Sequence, residues 1–213
     1  MEIHNPNDAI RHRIGMVHQH FMLVKPLTVA ENIILGTETT RGRAFLNLRV
    51  AEQRIRELSD QYQLEVDPTA KIQDLPVGTQ QRVEIIKALY READVLILDE
   101  PTAVLTPQET ERLFLTIFSL AQRGKSIIFI THKLKEVLEV ASRITVLRGG
   151  RVVGTTYPKN TNERELAAMM VGRQVILKVD KEPAQPKDVV LDVKDLKVDD
   201  DRHNPNVNGV SFR

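Results

Sequence analysis

Apolar residues along this chain follow two patterns, one typical of helices and one typical of buried strands. Ala51, Ile55, Leu58 and Tyr62 are spaced to share one helix face, which predicts an amphipathic helix over this stretch. The same kind of repeat predicts further helices at residues 78–90, 107–123, 134–141 and 163–171.

Short apolar runs lie between these predicted helices. Residues 14–17 predict a short strand. Residues 95–98 and 126–131 are apolar runs without alternation, which is typical of strands buried on both faces of a parallel sheet. Two more strands are predicted at 143–148 and 151–156, where they flank a Gly149-Gly150 turn. Strands that alternate with helices in this way indicate an α/β fold.

Two adjacent carboxylates, Asp99 and Glu100, follow the second of these strands, and Pro101 ends it because proline cannot donate to a sheet ladder. Acids at the end of a buried strand are unfavourable unless something positive pairs with them. Open α/β sheets bind their ligands at the carboxyl ends of parallel strands. The pair therefore predicts a Mg²⁺–phosphate site, in which one carboxylate holds the metal and the next polarises an attacking water. The alternative is that Asp99 only caps the next helix.

Composition excludes several classes of protein. Thirty basic and 29 acidic residues leave a net charge of +1, so no overall field attracts the chain to nucleic acid. The sequence has no cysteine, which excludes a disulfide framework and fits a reducing compartment. No apolar run approaches the roughly 18 residues of a membrane span, and the first residues lack the apolar core of a signal peptide. We therefore expect a cytoplasmic chain that reaches a membrane only through partners.

A resemblance to a known family rests on two motifs. The sequences L-P-V-G-T-Q-Q-R (residues 75–82) and V-L-I-L-D-E-P-T (residues 95–102) resemble the signature motif and the Walker B motif of ABC-type ATPases. The surrounding segments Q-Q-R-V-E-I-I-K-A-L-Y-R and T-A-V-L-T-P-Q-E are similar to the tandem-cassette ATPases of bacterial sugar and nucleoside importers. The resemblance spans most of residues 1–172 and implies a P-loop NTPase core, with ATP and Mg²⁺ as ligands.

The resemblance also implies a helical subdomain at about residues 22–90, which in importers presses against the membrane subunits. Its first helix is predicted from the residues as well, since Thr28 and Glu31 have the spacing of a capping box. Residues 37–49 are polar and basic and predict a loop. Without the resemblance, this region is only a small helical insert.

Roles for four residues follow from the resemblance. Glu100 is the implied general base and Asp99 the implied Mg²⁺ ligand. Gln19, in the Q-loop, is the implied contact to both Mg²⁺ and the attacking water, and His132 is the switch histidine that contacts the γ-phosphate. Taken alone, Gln19 is an ordinary strand-end amide and His132 a structural histidine. His18 and His20 are a weak zinc signal, because no third ligand lies nearby in the sequence, and we interpret them as neighbours of the Q-loop.

The signature helix offers a second set of site residues. A helix start beside a glycine presents free N–H groups and a positive dipole end, which suit a phosphate. By resemblance, the nucleotide held by the opposite cassette is bound here, by Val77, Gly78, Thr79 and Gln80. Alone, Gly78 is a plain helix-entry glycine.

Two positions depart from the family pattern. Pro76 replaces the signature serine, and Thr106 replaces the aspartate that many members carry in the D-loop. Both substitutions raise the question of how well this half activates the nucleotide of its partner.

The phosphate-binding motif G-x-x-x-x-G-K-[ST] does not occur in the 213 residues. The tripeptide Gly124-Lys125-Ser126 comes nearest, but Ser119 stands where the first glycine belongs, and the tripeptide leads from a helix into a strand. We therefore expect residues 1–172 to be a first cassette without its N-terminal strands and P-loop, inactive by itself.

Beyond residue 172 the composition changes. Residues 173–187 are rich in lysine and proline and predict a linker. Residues 188–213 resemble the opening β-hairpin of a second cassette, with a strand at 189–193, a turn through Asp199, Asp200 and Asp201, and a strand at 207–212. The three aspartates lack EF-hand spacing, so a solvated turn is favoured over a calcium site.

The leading functional hypothesis is an ATP-hydrolysing subunit that couples ATP hydrolysis to uptake of sugars or nucleosides. The resemblance implies transmembrane permease subunits and a substrate-binding protein as partners. It also implies a second cassette, in the same chain or in a dimer, and a place at the cytoplasmic face of the membrane. A non-catalytic docking or regulatory protein is the alternative. A ribosome-acting tandem protein is disfavoured, because residues 173–187 are too short and too proline-rich for its long helical linker.

Overall fold

The computed structural model describes residues 2–37, 40–41, 45–173, 185, 187–199 and 205–213. Two compact units make up the chain, Met1–Val175 and Ile176–Arg213. No helix within these ranges is long and apolar enough to cross a bilayer.

The described elements follow one another in mixed α/β order, as the sequence predicts. The helices are α1 (Pro6–Arg11), α2 (Val29–Ile34), α3 (Leu48–Tyr62), α4 (Val77–Tyr90), α5 (Pro107–Gln122), α6 (Leu134–Val140) and α7 (Glu163–Val171), with short 3₁₀ turns at Ile72–Asp74 and Pro158–Asn160. The strands are β1 (Ile14–Val17), β2 (Thr40–Arg41), β3 (Phe45–Leu46), β4 (Val95–Asp99), β5 (Ser126–Ile130), β6 (Ile144–Arg148), β7 (Arg151–Thr156), β8 (Val193–Asp199) and β9 (Pro205–Phe212).

The first unit contains a three-stranded parallel sheet in the order β1-β4-β5. The Asp94 carboxylate lies at the start of the three strands. It accepts hydrogen bonds from Arg13 at 3.2 Å and from Lys125 at 2.8 Å. The hydrogen bonds from Lys125 and then Arg13 hold the pKa of Asp94 below its ordinary range. These charged residues connect the starts of the three strands, and the ladder register brings the opposite ends to one edge of the sheet.

The prediction that β4 and β5 are buried on both faces is wrong. Buried and half-buried residues alternate along β4, and Ile128 of β5 is 49% exposed. In the described part of the chain, the buried core lies on the face that carries Val17, Leu96 and Leu98. A continuous apolar run shows that a strand tolerates burial, but it does not show whether a second layer is present.

The predicted helical region is formed by α2, α3 and α4, which pack on one another, and α4 also packs on β1. Ile33, Ile55 and Ile86, one from each helix, are fully buried. The Thr28–Glu31 capping box is present, and it holds the pKa of Glu31 low, chiefly through the backbone N–H of Thr28. The predicted loop at 37–49 is wrong in part, because β2 and β3 pair antiparallel there and α3 begins at Leu48. Residues 38–39 and 42–44 lie outside the described residues.

The predicted hairpin around the double glycine is confirmed as the antiparallel pair β6–β7. Gly149 and Gly150 have φ of +56° and +73°, the left-handed values that a tight hairpin turn requires at both central positions. Leu166 of α7 is buried with two residues of β6, and Met169 and Met170 pack against this cluster, as predicted.

In the second unit, β8 and β9 form an antiparallel hairpin. The predicted strand at 189–193 is misplaced, because β8 begins only at Val193 and Val190 is 98% exposed. Val193, the first residue of β8, pairs with Phe212 of β9. Most of the predicted linker and the two aspartates at 200 and 201 lie outside the described residues.

Candidate functional site

Glu100 occupies a strained position directly after β4. Its φ is +44°, in the left-handed region that a side-chain-bearing residue enters at a cost of about 1–2 kcal/mol. The backbone N–H of Glu100 donates to the carbonyl of Ile130 at 2.8 Å, at the end of β5. Strain of this kind persists only where surrounding contacts enforce it, and it concentrates at functional sites.

Both carboxylate oxygens of Glu100 are engaged by side chains from neighbouring strands. Gln19 follows β1, and its Nε2 donates to Oε2 of Glu100 at 3.3 Å. His132 follows β5, and its Nδ1 lies 3.0 Å from Oε1 of Glu100. Since β1, β4 and β5 are parallel neighbours, the three residues meet at the carboxyl edge of the sheet. A carboxylate accepts but cannot donate, so the hydrogen in the second contact lies on Nδ1.

Asp99 ends β4 at the same edge and is half-buried. Its carboxylate makes no hydrogen bond or ion pair with any described residue. The amide nitrogen of Gln19 is used by Glu100, which leaves the amide oxygen of Gln19 available. The described residues contain no cluster of three or more histidine, aspartate or glutamate side chains that holds a metal alone. An unpaired carboxylate and an amide oxygen fit Mg²⁺, which binds one or two protein oxygens and takes the rest from phosphates and water.

The four predicted signature residues, 77–80, form the first turn of α4. Thr79 accepts a hydrogen bond from Arg82 at 2.8 Å, and Gln80 donates to the carbonyl of Leu75 at 2.9 Å. Pro76 is the N-cap and provides no side-chain cap. No hydrogen bond among the described side chains joins residues 77–80 to Glu100, so these residues form a separate part of the candidate site.

Glu109, which sequence reasoning missed, lies against the signature glycine. A Cβ added to Gly78 would stand 2.5 Å from Oε1 of Glu109. The same carboxylate closes a capping box with Thr106 at the start of α5. The backbone N–H of Thr106, and more weakly that of Gly78, hold the pKa of Glu109 below its ordinary range. The Glu109 carboxylate thus caps α5 and also lies close to Gly78, in the first turn of α4.

A groove of about 620 Å³ opens beside this contact, between the end of α3 and the starts of α4 and α5. Its lining includes Arg82, Arg112 and Glu109. The Nε of Arg82 is buried and has no hydrogen-bond partner among the described residues. The charged lining differs from the mostly apolar pockets that enclose small organic ligands.

Two buried polar residues on α4 connect this helix to the Glu100 edge, and sequence reasoning missed both. Gln81 is 2% exposed and donates to the carbonyl of Pro101 at 2.8 Å. Glu84 is 5% exposed and accepts from the backbone N–H of Met22 at 2.7 Å. The only sequence signal for Gln81 and Glu84 is that they are polar residues close to the apolar repeat of the predicted helix. They fix the loops that follow Glu100 and Gln19 to the same helix.

Comparison with known proteins gives a consistent result. The family model described as "ABC transporter" matches residues 2–103. The nucleoside import ATP-binding protein NupA of Lactococcus lactis is 53% identical over 210 residues, which are 99% of this chain and 41% of that protein. The glucose import ATP-binding protein TsgD13 of Haloferax volcanii is 47% identical over an alignment 229 positions long, which covers 95% of this chain and 42% of that protein. The chain thus spans about two fifths of the length of these curated relatives.

A solved structure shows the same likeness in the backbone. The protein cbiO1 from Clostridium perfringens, part of the ABC transporter complex cbiONQ, is 26% identical with a TM-score of 0.60. The match covers 74% of this chain and 62% of that chain.

Proposed function

This chain belongs to the ABC transporter family and has the P-loop NTPase fold of its ATP-binding cassettes, and from that membership we propose that it supplies catalytic residues to an ATP-hydrolysing subunit of an importer for sugars or nucleosides. The observation that carries the proposal is the pair of contacts that Gln19 and His132 make with the two carboxylate oxygens of Glu100.

In this proposal Glu100 is the general base. Its carboxylate accepts a proton from the water that attacks the γ-phosphate, and the flanking amide and imidazole hold it in one orientation. The Nε2 of His132 is not used by Glu100. With hydrogen on Nδ1, Nε2 donates to the γ-phosphate only when the ring carries a second proton and is positively charged. Gln19 lies where it orients the same water.

Asp99 is the proposed Mg²⁺ ligand, with the amide oxygen of Gln19 beside it. When bound, the ion offsets the negative charge of the β- and γ-phosphates. The protein contributes the Asp99 carboxylate, which pairs with no described residue and ends β4 directly before Glu100.

The first turn of α4 is proposed to serve a nucleotide held by an opposite cassette, through Val77, Gly78, Thr79 and Gln80. Glu109 stands against the N–H of Gly78 in this structure, so the carboxylate must withdraw before a γ-phosphate takes its place. The β8–β9 hairpin is proposed to open a second cassette, with residues 173–187 as the connection.

We propose permease subunits in the membrane and a substrate-binding protein as partners, with the chain at the cytoplasmic face. The relatives support this proposal, since NupA and TsgD13 are import ATP-binding proteins. The packed helices α2, α3 and α4 are the proposed contact to the permease.

A non-catalytic docking role is the second candidate, and three observations favour it. Thr106, at the D-loop position, is used to cap α5. Pro76 contributes no side-chain cap, and Glu109 lies close to Gly78 in the signature turn. These features weaken activation of the opposite nucleotide and leave docking on the membrane subunits intact.

A chimera separates the two candidates. This chain replaces the matching 210 residues of NupA, and the chimera is produced in Lactococcus lactis cells that lack NupA. Restored nucleoside uptake together with ATP hydrolysis is the expected result. A chimera that reaches the membrane and binds Mg·ATP without hydrolysing it would support the docking role and contradict the catalytic one.

A further inference from the structure

The loop after Glu100 is bonded to the start of α6. Thr102 is 1% exposed, and its hydroxyl donates to Oε2 of Glu136 at 2.7 Å. Lys133 Nζ donates to the carbonyl and hydroxyl oxygens of the same Thr102, at 2.9 and 3.1 Å. Lys133 and Glu136 also form an ion pair at 3.2 Å. The buried Thr102 is thus held by two charged side chains, Lys133 and Glu136, which follow His132 in the chain.

The same glutamate reaches the residue before the histidine. The hydroxyl of Thr131 lies 3.4 Å from Oε2 of Glu136, and it accepts the backbone N–H of Lys133 at 3.1 Å. Both chain neighbours of His132 are therefore tied to Glu136, one directly and one through an ion pair. The side chain of Glu136 is 12% exposed, so these bonds are shielded from water.

His132 needs such support. Its side chain is 64% exposed, and Glu100 is its only hydrogen-bond partner in the described part of the chain. The two residues that follow the strained Glu100 are each held by a side chain. Gln81 donates to the carbonyl of Pro101, and Glu136 accepts from the hydroxyl of Thr102.

We infer that Glu136 is a positioning residue that, through Thr102 and Lys133, keeps His132 in contact with Glu100. The catalytic role of this positioning rests on the proposed function, while the contact between His132 and Glu100 is present without nucleotide. Substituting Glu136 releases Lys133 from its ion pair and frees the 131–133 segment to move. The hydrogen on Nδ1 of His132 then loses its acceptor.

The test uses the 213-residue chain with ¹⁵N-labelled histidine and without ATP. At about pH 8, NMR reads the ratio of His132 rings that carry hydrogen on Nδ1 to those that carry it on Nε2. In the Glu136→Gln variant we expect this ratio to fall about fivefold, the change that corresponds to losing about 1 kcal/mol. The matched control is Glu139→Gln, an exposed glutamate of the same helix, which should leave the ratio unchanged.

Thr102→Val removes the hydroxyl but keeps the side-chain shape, and it should lower the ratio in the same direction. If a Glu136 or Thr102 variant does not fold, the ratio is measured in Lys133→Met, which changes a partly exposed side chain and should lower the ratio as well. An unchanged ratio in folded variants would overturn the inference. Because no nucleotide is present, failure of the proposed ATPase function leaves this readout unaffected, and the two failures are distinguishable.

Discussion

Nδ1 of His132 lies 3.0 Å from Oε1 of Glu100, although 32 positions separate the two residues along the chain. The contact forms because β4 and β5 are parallel neighbours whose register pairs Asp99 with Ile130. Each strand therefore delivers its next residues to the same edge. Gln19 reaches the same carboxylate from β1, on the other side of β4.

The bond between Glu84 and the backbone of Met22 predicts how the Q-loop is held. Glu84→Ala removes the carboxylate that accepts the Met22 N–H, and a hydrogen bond to a charged group contributes about 1.5–3 kcal/mol. We expect the Met22 amide to exchange with solvent at least about tenfold faster, as measured by NMR hydrogen exchange. Glu111→Ala, at an exposed residue of α5, is the control and should leave that rate unchanged. Equal rates in the Glu84 variant and the wild type would show that the loop is held by other contacts.

The close approach of Glu109 to Gly78 predicts that a side chain at residue 78 displaces the Glu109 carboxylate. In Gly78→Ala the new Cβ displaces the Glu109 carboxylate and weakens the cap of α5. We expect a loss of about 1 kcal/mol in the free energy of unfolding, comparable to the loss of a helix cap. In the Glu109→Ala background the same Gly78→Ala change should have a much smaller effect. Additive losses in the double variant would contradict a direct contact.

The lowered pKa of Glu109 predicts a pH dependence of stability. A carboxyl group whose folded pKa lies below its unfolded value stabilises the protein above the unfolded value, about pH 4.3 for glutamate. That contribution is lost as pH falls through the folded pKa. The difference in unfolding free energy between the wild type and Glu109→Gln should therefore be largest near neutral pH and shrink in acid, as urea titrations at several pH values would show. Glu111→Gln should show no such trend, and a difference that stays constant with pH would argue against the cap.

The absence of G-x-x-x-x-G-K-[ST] from the sequence predicts weak nucleotide binding by the 213-residue chain. That motif supplies the backbone N–H cradle for phosphates, which Asp99 and Glu100 do not replace. We expect isothermal titration with Mg·ATP to give a Kd above about 1 mM, or less than about 4 kcal/mol of binding free energy. Micromolar binding would show that another cradle exists.

Local features of the chain were predictable from sequence. The repeat at Ala51 and Ile55, the Thr28–Glu31 box and the double-glycine hairpin depend only on near neighbours. The hydrogen bonds of Gln81, Glu84 and Glu136 were not predictable, because polar residues on helices are usually solvated. Their partners also lie far away along the chain.

Glu109 lies between these cases. Its capping box with Thr106 has the same T-x-x-E spacing as Thr28 and Glu31, so its local role could be recognised in the sequence. Its second contact, with Gly78, depends on how two helix starts meet in space. The exposed face of β5 was mispredicted for a related reason, since an apolar run does not reveal what covers it.

The central claim, that Glu100 is the general base, is tested most directly in the NupA chimera. Glu100→Gln keeps the size of the side chain and one acceptor oxygen, enough for one of the two contacts with Gln19 and His132, but it removes the base. We expect Mg·ATP binding to remain within about twofold and hydrolysis to fall about 10²-fold or more, the range of general-base catalysis. The Glu139→Gln chimera should hydrolyse ATP at the parent rate. Undiminished hydrolysis by the Glu100→Gln chimera would contradict the assignment.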